Sequence, residues 1–193
     1  MNLERRVKWE ERHRAAAPGD PEPSVIEMLP LLPRGTALDI AAGTGRNSIA
    51  LARTGWQVVA ADFSFTGMGM LSGIARRENL AISPVVADLE DSCPFRPNAF
   101  DVILNINYLD RPLVPLIKGA LRPRGMLLFD TFLIDETNEA VHGHLRDSRF
   151  VLDHYELRGM LSDLEMLRYR EGLVVYPNGK SAWRATALAR RGN

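Results

Sequence analysis

Cysteine is nearly absent: Cys93 is the single one in 193 residues. One thiol closes no intrachain disulfide and builds no cysteine-rich zinc site, which excludes the small stapled scaffolds. An excess of either charge is absent too, with 24 Lys+Arg against 24 Asp+Glu scattered along the chain. The basic excess or basic stripe of an electrostatic nucleic-acid binder is therefore missing. No apolar run approaches the ~20 residues that span a bilayer. Met1–Arg14 is charged throughout and lacks the apolar stretch of a signal peptide. Internal repeats and low-complexity tracts are missing as well. These absences leave a globular chain, expected in the cytoplasm and long enough to bury roughly 70% of its unfolded surface without staples.

What is present is an alternation. Leu3–Ala17 reads as a polar helix with Val7 and Trp9 as its main apolar residues, and Pro18-Gly19-Asp20-Pro21 breaks it. Ser24–Leu29 is apolar at helical spacing, with Ser24 as the predicted N-cap. Strands are predicted over Thr36–Ala41, Trp56–Ala61, Ala81–Ala87, Phe100–Ile106 and Met126–Phe132. Helices are predicted between them over 46–54, 66–79 and 113–121. Pro84 places the third strand at an edge or its start, because proline donates nothing to a ladder. Strand and helix at this rhythm predict a doubly wound, mostly parallel α/β sheet with helices on both faces. The ending differs: a helix over 153–161 precedes two strand-like runs, 165–176 and 181–189, joined by Pro177-Asn178-Gly179-Lys180. The Asn-Gly pair is a hairpin signal, so the sheet is expected to finish antiparallel. One domain over 1–193 is expected, with 1–20 as an N-terminal helical segment and 133–150 as a long polar loop on the substrate side.

The first strand runs into Ala42-Gly43-Thr44-Gly45-Arg46-Asn47-Ser48. Glycines at a strand-to-helix turn let backbone approach a ligand, and the N–H groups opening the next helix face it. Asp62 stands where the second strand ends and Asp88 where the third ends. In doubly wound sheets these tips share one crevice. An acid after the second strand accepts both hydroxyls of a ribose; one after the third accepts the exocyclic amine of adenine, with Leu89 against the ring. NAD competes for this reading, since G-x-G-x-x-G maps onto Gly43–Ser48 with serine in third place. Asp88 has no standard part in NAD binding.

The successive segments ALDIAAGTGRNSIALA, VVAADFS, VVADLED, FDVILNINYLDRPL and ALRPRGMLLFDTF resemble the motifs of class I S-adenosylmethionine-dependent methyltransferases, over about Pro23 to Ala189. The resemblance is closest to the small bacterial tellurite-resistance-type branch, whose WxxRY-like opening WEERHR is similar to. It implies a Rossmann-like seven-stranded sheet with an antiparallel last strand. It implies S-adenosyl-L-methionine as cofactor, with Asp39, Gly43 and Gly45 at its methionine end, Asp62 on the ribose and Asp88 with Leu89 on the adenine. Ala41, Asn47, Phe63 and Asn105 complete the set it implies. It also implies that the segment 1–20 folds over the cofactor; on the residues alone, a polar surface helix anchored by Trp9 accounts for that segment equally. Two departures stand out. Ala41 replaces a usual glycine, and Asn105-Ile106-Asn107-Tyr108 lacks the N/D-P-P-Y/F pattern with which amine-methylating enzymes trap a planar nitrogen.

On the acceptor side, Tyr108 and Arg111 follow the fourth strand, and His142, His144 and Arg146 lie in the polar stretch after the fifth. A histidine there supplies a base near neutral pH and an arginine holds an oxyanion; packing and solvated-loop roles explain the same residues. His142-x-His144 finds no acidic pair at suitable spacing, so no metal is expected. The reading is methyl transfer to a small molecule by a monomer or homodimer, without nucleic acid or membrane as partner. The alternatives are an NAD(P)-dependent oxidoreductase and a non-catalytic binder of S-adenosylmethionine.

Overall fold

The computed structural model describes residues 3–15, 17–90, 93–135 and 148–193. Seven strands form one sheet in the order β3-β2-β1-β4-β5-β7-β6: β1 (Thr36–Ile40), β2 (Gln57–Asp62), β3 (Ile82–Val86), β4 (Phe100–Ile106), β5 (Leu121–Phe132), β6 (Glu165–Val175) and β7 (Ser181–Arg190). β1 to β5 are parallel, and β7 runs antiparallel to both β5 and β6. The expected sheet and its antiparallel finish are both there. Pro84 lies in edge strand β3, where its missing N–H leaves no ladder bond broken.

Helices cover both faces. α2 (Pro23–Met28), α3 (Arg46–Arg53) and α4 (Phe65–Glu78) lie on one, burying Val25, Leu51, Ile49, Met68 and Leu71 with Trp56, Val58, Ala60 and Leu104. α5 (Val114–Ala120) and α6 (Glu156–Met160) lie on the other, burying Ile117 and Leu157 with Leu38, Ile103, Leu127 and Phe129. The strand order reverses at β1, with β2 on one flank and β4 on the other. Ile40 pairs with Ala61 and with Asn105, and Asp62 pairs with Val86. The chain therefore leaves β1, β2, β3 and β4 along one edge of the sheet, where a doubly wound fold binds its ligand.

Three boundaries differ from the sequence reading. α2 is capped at Glu22 rather than Ser24, because Pro23 takes the first helical position, where its fixed φ suits and its absent N–H leaves nothing unsatisfied. The last helix is short, Glu156–Met160: Tyr155 sits at φ 63, and the Glu156 carboxylate accepts the Asp153 N–H. β5 begins at Leu121, but Arg122–Gly125 interrupts its register, with Phe100 facing Leu121 and Val102 facing Met126; Arg124 sits at φ 64.

A buried polar knot ties the end of the sheet to the segment before α2. Arg184, 2% exposed, donates from Nε to Asp130 Oδ1 at 2.6 Å and from Nη2 to Asn107 Oδ1 at 2.6 Å. Asn107 Nδ2 donates to Glu22 Oε2, and Tyr176 Oη donates to Glu22 Oε1. Burial pushes Arg184 toward losing its proton, and the carboxylates of Asp130 and Glu22 outweigh it, holding the charge. Deleting one partner of such a pair leaves an uncompensated buried charge. Asp130→Ala is expected to destabilise the fold by about 3–5 kcal/mol, and Asp130→Ala with Arg184→Met by clearly less; urea unfolding of the two variants checks this.

Candidate functional site

The turn after β1 takes left-handed backbone three times in five residues: Ala41 at φ 51, Gly43 at φ 59 and Gly45 at φ 88. Two glycines are crowded, one by a side chain and one by backbone. A Cβ on Gly45 would lie 2.4 Å from Leu71 Cδ1, and one on Gly67, at the start of α4, 2.5 Å from the Gly43 carbonyl oxygen. Ala42 N donates to Ala61 O and Gly45 N to Ala42 O, so the turn is fixed to β2. The departure at Ala41 is thus a matter of backbone as well as size, since the left-handed region costs an L-residue roughly 1–2 kcal/mol.

Asp62 is the pin of the site. Its Oδ2 accepts the Gly43 N–H at 2.8 Å and its Oδ1 the Ser64 N–H at 2.8 Å. Burial pushes its carboxyl up, opposed by those two N–H groups and the nearby His13 imidazole. Ser64 Oγ in turn accepts the Gly67 N–H and caps α4. One carboxylate thereby sets both the glycine turn and the start of α4, and each of its oxygens keeps a lone pair for a further donor.

Asp39 is fully buried in β1 and accepts Ser48 Oγ at 2.6 Å. Burial lifts its carboxyl to about 6, against the opposing Ser48 donors and the Arg46 cation. Asn47 Oδ1 accepts the Glu22 N–H, and Asn105 Nδ2 donates to Tyr108 O. Leu89 is buried against the core beside Ile40 and Ala61. Asp88 accepts the Glu90 N–H and pairs with Arg6 at 2.5 Å; burial raises its carboxyl, and its donors together, Arg6 and the Glu90 N–H among them, hold it below the usual range.

Arg6 belongs to α1 (Leu3–Ala15), which lies across the crevice. Glu10 accepts the N–H groups of Phe65 and Thr66 at the start of α4. His13, 8% exposed, stands over the two glycines: its Nε2 is 3.3 Å from where a Gly43 Cβ would be, and its Nδ1 3.2 Å from that of Gly67. That Nδ1 is buried without a hydrogen-bond partner. A cavity of about 360 Å³ is lined by Arg6, Val7, Glu10, Glu11, Arg14 and Phe63. Asp39, Ala41, Gly43, Gly45, Asn47, Asp62, Phe63, Asp88, Leu89 and Asn105 all lie along this edge of the sheet.

The acceptor-side residues are placed differently. Tyr108 is half-buried against the core beyond β4. Arg111 is fully engaged as an anchor: it donates to both oxygens of Glu156 and to the carbonyls of Ser148 and Val151. His142, His144 and Arg146 lie outside the described residues. Of the functional candidates Arg6, Glu10 and His13, the last two lie in the WEERHR likeness, and Arg6 was covered only by the implied folding of the segment 1–20 over the cofactor. Asp130 and Arg184 had one available signal, charged residues set among apolar strand neighbours in FDTF and AWRATAL, whereas Glu22 and Asn107 had none.

The residues fit an adenosyl ligand by their own chemistry. Two carboxylates stand at adjacent strand tips as acceptors for hydroxyl and amine donors. Gly43 and Gly67 let the turn, the start of α4 and His13 approach closer than side chains would allow, and His13 carries an unpaired nitrogen over them. Two outcomes follow from the strain and the burial. Ala41→Gly is expected to stabilise the protein by about 0.5–1 kcal/mol, the left-handed cost less glycine's entropy, read as a rise in the denaturation midpoint. Asp39 binds its proton more tightly folded than unfolded, so between its unfolded 3.8 and about 6 it makes stability fall as pH rises, and the trend flattens above that. Asp39→Asn should remove a slope totalling on the order of 3 kcal/mol, seen by comparing unfolding free energies of the two proteins from pH 4 to 7.

A family described as a methyltransferase domain matches residues 37–125. The demethylmenaquinone methyltransferase of Renibacterium salmoninarum is 32% identical over 114 residues, covering 56% of this chain and 46% of that protein. The chain thus spans about half the length of the curated relatives it matches. Among solved structures, TehB from Haemophilus influenzae superposes with a TM-score of 0.73 at 22% identity, over 89% of this chain and 62% of the other. The 1,6-didemethyltoxoflavin-N1-methyltransferase of Burkholderia thailandensis, solved with S-adenosylhomocysteine, superposes with a TM-score of 0.67 at 18% identity, over 89% and 78%. At these identities the structural likeness is one of fold. Residues 37–125, which hold the glycine turn and the Asp62 pin, match the methyltransferase-domain family, and the seven-stranded order is a fold shared with these solved methyltransferases.

Proposed function

We propose that the protein transfers a methyl group from S-adenosylmethionine to a small molecule. The observation that supports this most is the Asp62 carboxylate, bonded to the N–H groups of Gly43 and Ser64 at the edge where Asp88 also lies. Asp62 takes the ribose hydroxyls and Asp88 the adenine amine. Phe63 and Leu89 flank the base, while the turn 41–45 with Asp39, Asn47 and Asn105 receives the methionine end. The cofactor supplies a sulfonium-activated methyl group. The protein's contribution is alignment of nucleophile and donor, an effect that can supply several kcal/mol of the barrier. α1 excludes water above the glycine turn, with His13 in contact with the ligand.

The acceptor binds beyond the carboxyl ends of β4 and β5, against Tyr108 and the polar segment carrying His142, His144 and Arg146. Those histidines serve as base when the nucleophile arrives protonated, and Arg146 holds an acceptor oxyanion. Arg111 anchors the chain from Ser148 to Glu156, through the Glu156 carboxylate and the carbonyls of Ser148 and Val151. The protein works in the cytoplasm as one domain, as a monomer or homodimer, on small molecules rather than nucleic acid. The balanced charge supports this, and no helix among the described residues is long and apolar enough to cross a membrane.

The test is calorimetry. S-adenosylmethionine and S-adenosylhomocysteine should both bind and NADH should not. Asp62→Ala should weaken binding at least about tenfold, or 1.4 kcal/mol, and Gly67→Ala should do likewise by pushing the Gly43 carbonyl out of place. Absence of binding by both adenosyl compounds would end this reading. Transfer of labelled methyl to a panel of acceptors, demethylmenaquinone among them, then separates enzyme from passive binder.

A further inference from the structure

The acid at the tip of β3 has two claimants. Asp88 Oδ2 lies 2.5 Å from Nη2 of Arg6, a residue 82 positions earlier on the helix that crosses the crevice. The proposed function gives that same carboxylate to the exocyclic amine of an adenine. A guanidinium and an amine are both pure donors here; the Glu90 N–H already lies on Oδ1, and the broad Arg6 guanidinium covers Oδ2, so an adenine amine coming to Oδ2 meets it. The claim is reinforced by the rest of α1. Glu10 fastens the helix to the start of α4 through Phe65 and Thr66, and His13 rests on Gly43 and Gly67 one helical stretch further on. Arg6, Glu10 and His13 are spaced at i, i+4 and i+7, a single face of the helix. That face is polar, and each of its three residues meets a different part of the nucleoside crevice: adenine end, α4 start and glycine turn.

We propose that Arg6 is a competing donor built into the cofactor site, so that nucleoside binding is an exchange in which the adenine amine replaces Arg6 on Asp88. The inference rests on the cofactor reading above and adds to it a residue that works against the ligand. The chemistry makes the exchange cheap. The Arg6 side chain is 44% exposed and that of Asp88 13%, so the pair lies at the rim, where ion pairs are weak and screened. On release the guanidinium passes to solvent, alongside a cavity already lined by Arg6, Val7, Glu10 and Phe63. The neutral amine leaves Asp88 charged and accepting a hydrogen bond, and no proton changes hands. The exchange also selects: a ligand presenting an acceptor where adenine has its amine brings nothing that replaces Arg6.

Calorimetric titration of the full chain with S-adenosylhomocysteine tests this without any acceptor. Arg6→Ala is expected to bind about two- to fivefold more tightly than the parent, the range set by an exposed pair, while Arg6→Lys stays close to the parent. Affinity of the parent should rise from about 0.01 M to about 1 M salt, as the Debye length falls from about 30 to about 3 Å, and that of Arg6→Ala should stay flat. In an Asp88→Asn background, where no ion pair forms, Arg6→Ala should have no effect. Equal or weaker binding by Arg6→Ala overturns the exchange and makes Arg6 an ordinary contact or a bystander. Failure of the parent itself to bind would instead overturn the cofactor reading and this proposal with it.

Discussion

The site depends on a carboxylate that spends two of its four lone pairs on the protein. Asp62 holds Gly43 and Ser64 by their N–H groups. The first belongs to the turn after β1, the second to the turn after β2, and these strands are neighbours only because the sheet is parallel at this point. Without the carboxylate, two tight turns with buried N–H groups would face each other unsatisfied, each a loss of about 1–3 kcal/mol. With it, the turns keep a fixed spacing, and the remaining lone pairs converge on the space between them. Structural satisfaction alone therefore accounts for the acid at the last position of β2 and not one residue later, and the ribose contact proposed for it uses the lone pairs left over.

The same economy explains the strain at Ala41. A turn that must present N–H groups inward within five residues reverses its backbone repeatedly, and three left-handed residues do this. Glycine relieves two of them. At the third, the chain accepts alanine, whose Cβ is the smallest addition that still restricts the unfolded chain. The opposite choice is made at Gly67, where φ is unremarkable and the constraint is the Gly43 carbonyl against which any Cβ would press. One position is tolerant because its problem is torsional and small; the other is intolerant because its problem is contact with backbone.

Much of this was legible in the sequence, and for a local reason. Buried parallel strands read as short apolar runs, and the residues at their ends, Gly43, Gly45, Asp62 and Asp88, can be placed at one edge by counting alone. The Asn178-Gly179 turn announced the antiparallel β6–β7 pair in the same way. What stayed hidden needs register between distant segments. Arg184 faces Asp130 because Phe132 pairs with Arg184 and Asp130 with Thr186, two residues apart on one face of the sheet. Nothing near Arg184 in the chain says so. Glu22 is similar: it caps α2, yet its side chain meets Tyr176, 154 positions away. The α1 contacts were hidden by their own polarity. A helix with Arg6, Glu10 and His13 on one side looks solvated until the surface beneath it is seen to be polar too.

The knot of Glu22, Asn107, Asp130 and Arg184 therefore has a consequence beyond stability. Asn107 follows β4 at φ 59, and its N–H donates to the Asp130 carbonyl while its amide spans Arg184 and Glu22. Its neighbour Tyr108 is held from the other side by Asn105, through the Tyr108 carbonyl. Glu22 also accepts Arg46, and its N–H donates to Asn47, at the start of the helix that follows the glycine turn. So one buried cluster fixes three things at once: the connection behind α1, the first residues of α3 and the turn after β4. An apolar core could hold these elements together but not at set angles, because packing is indifferent to a small rotation. Hydrogen bonds to a buried guanidinium are not, because they weaken steeply with angle.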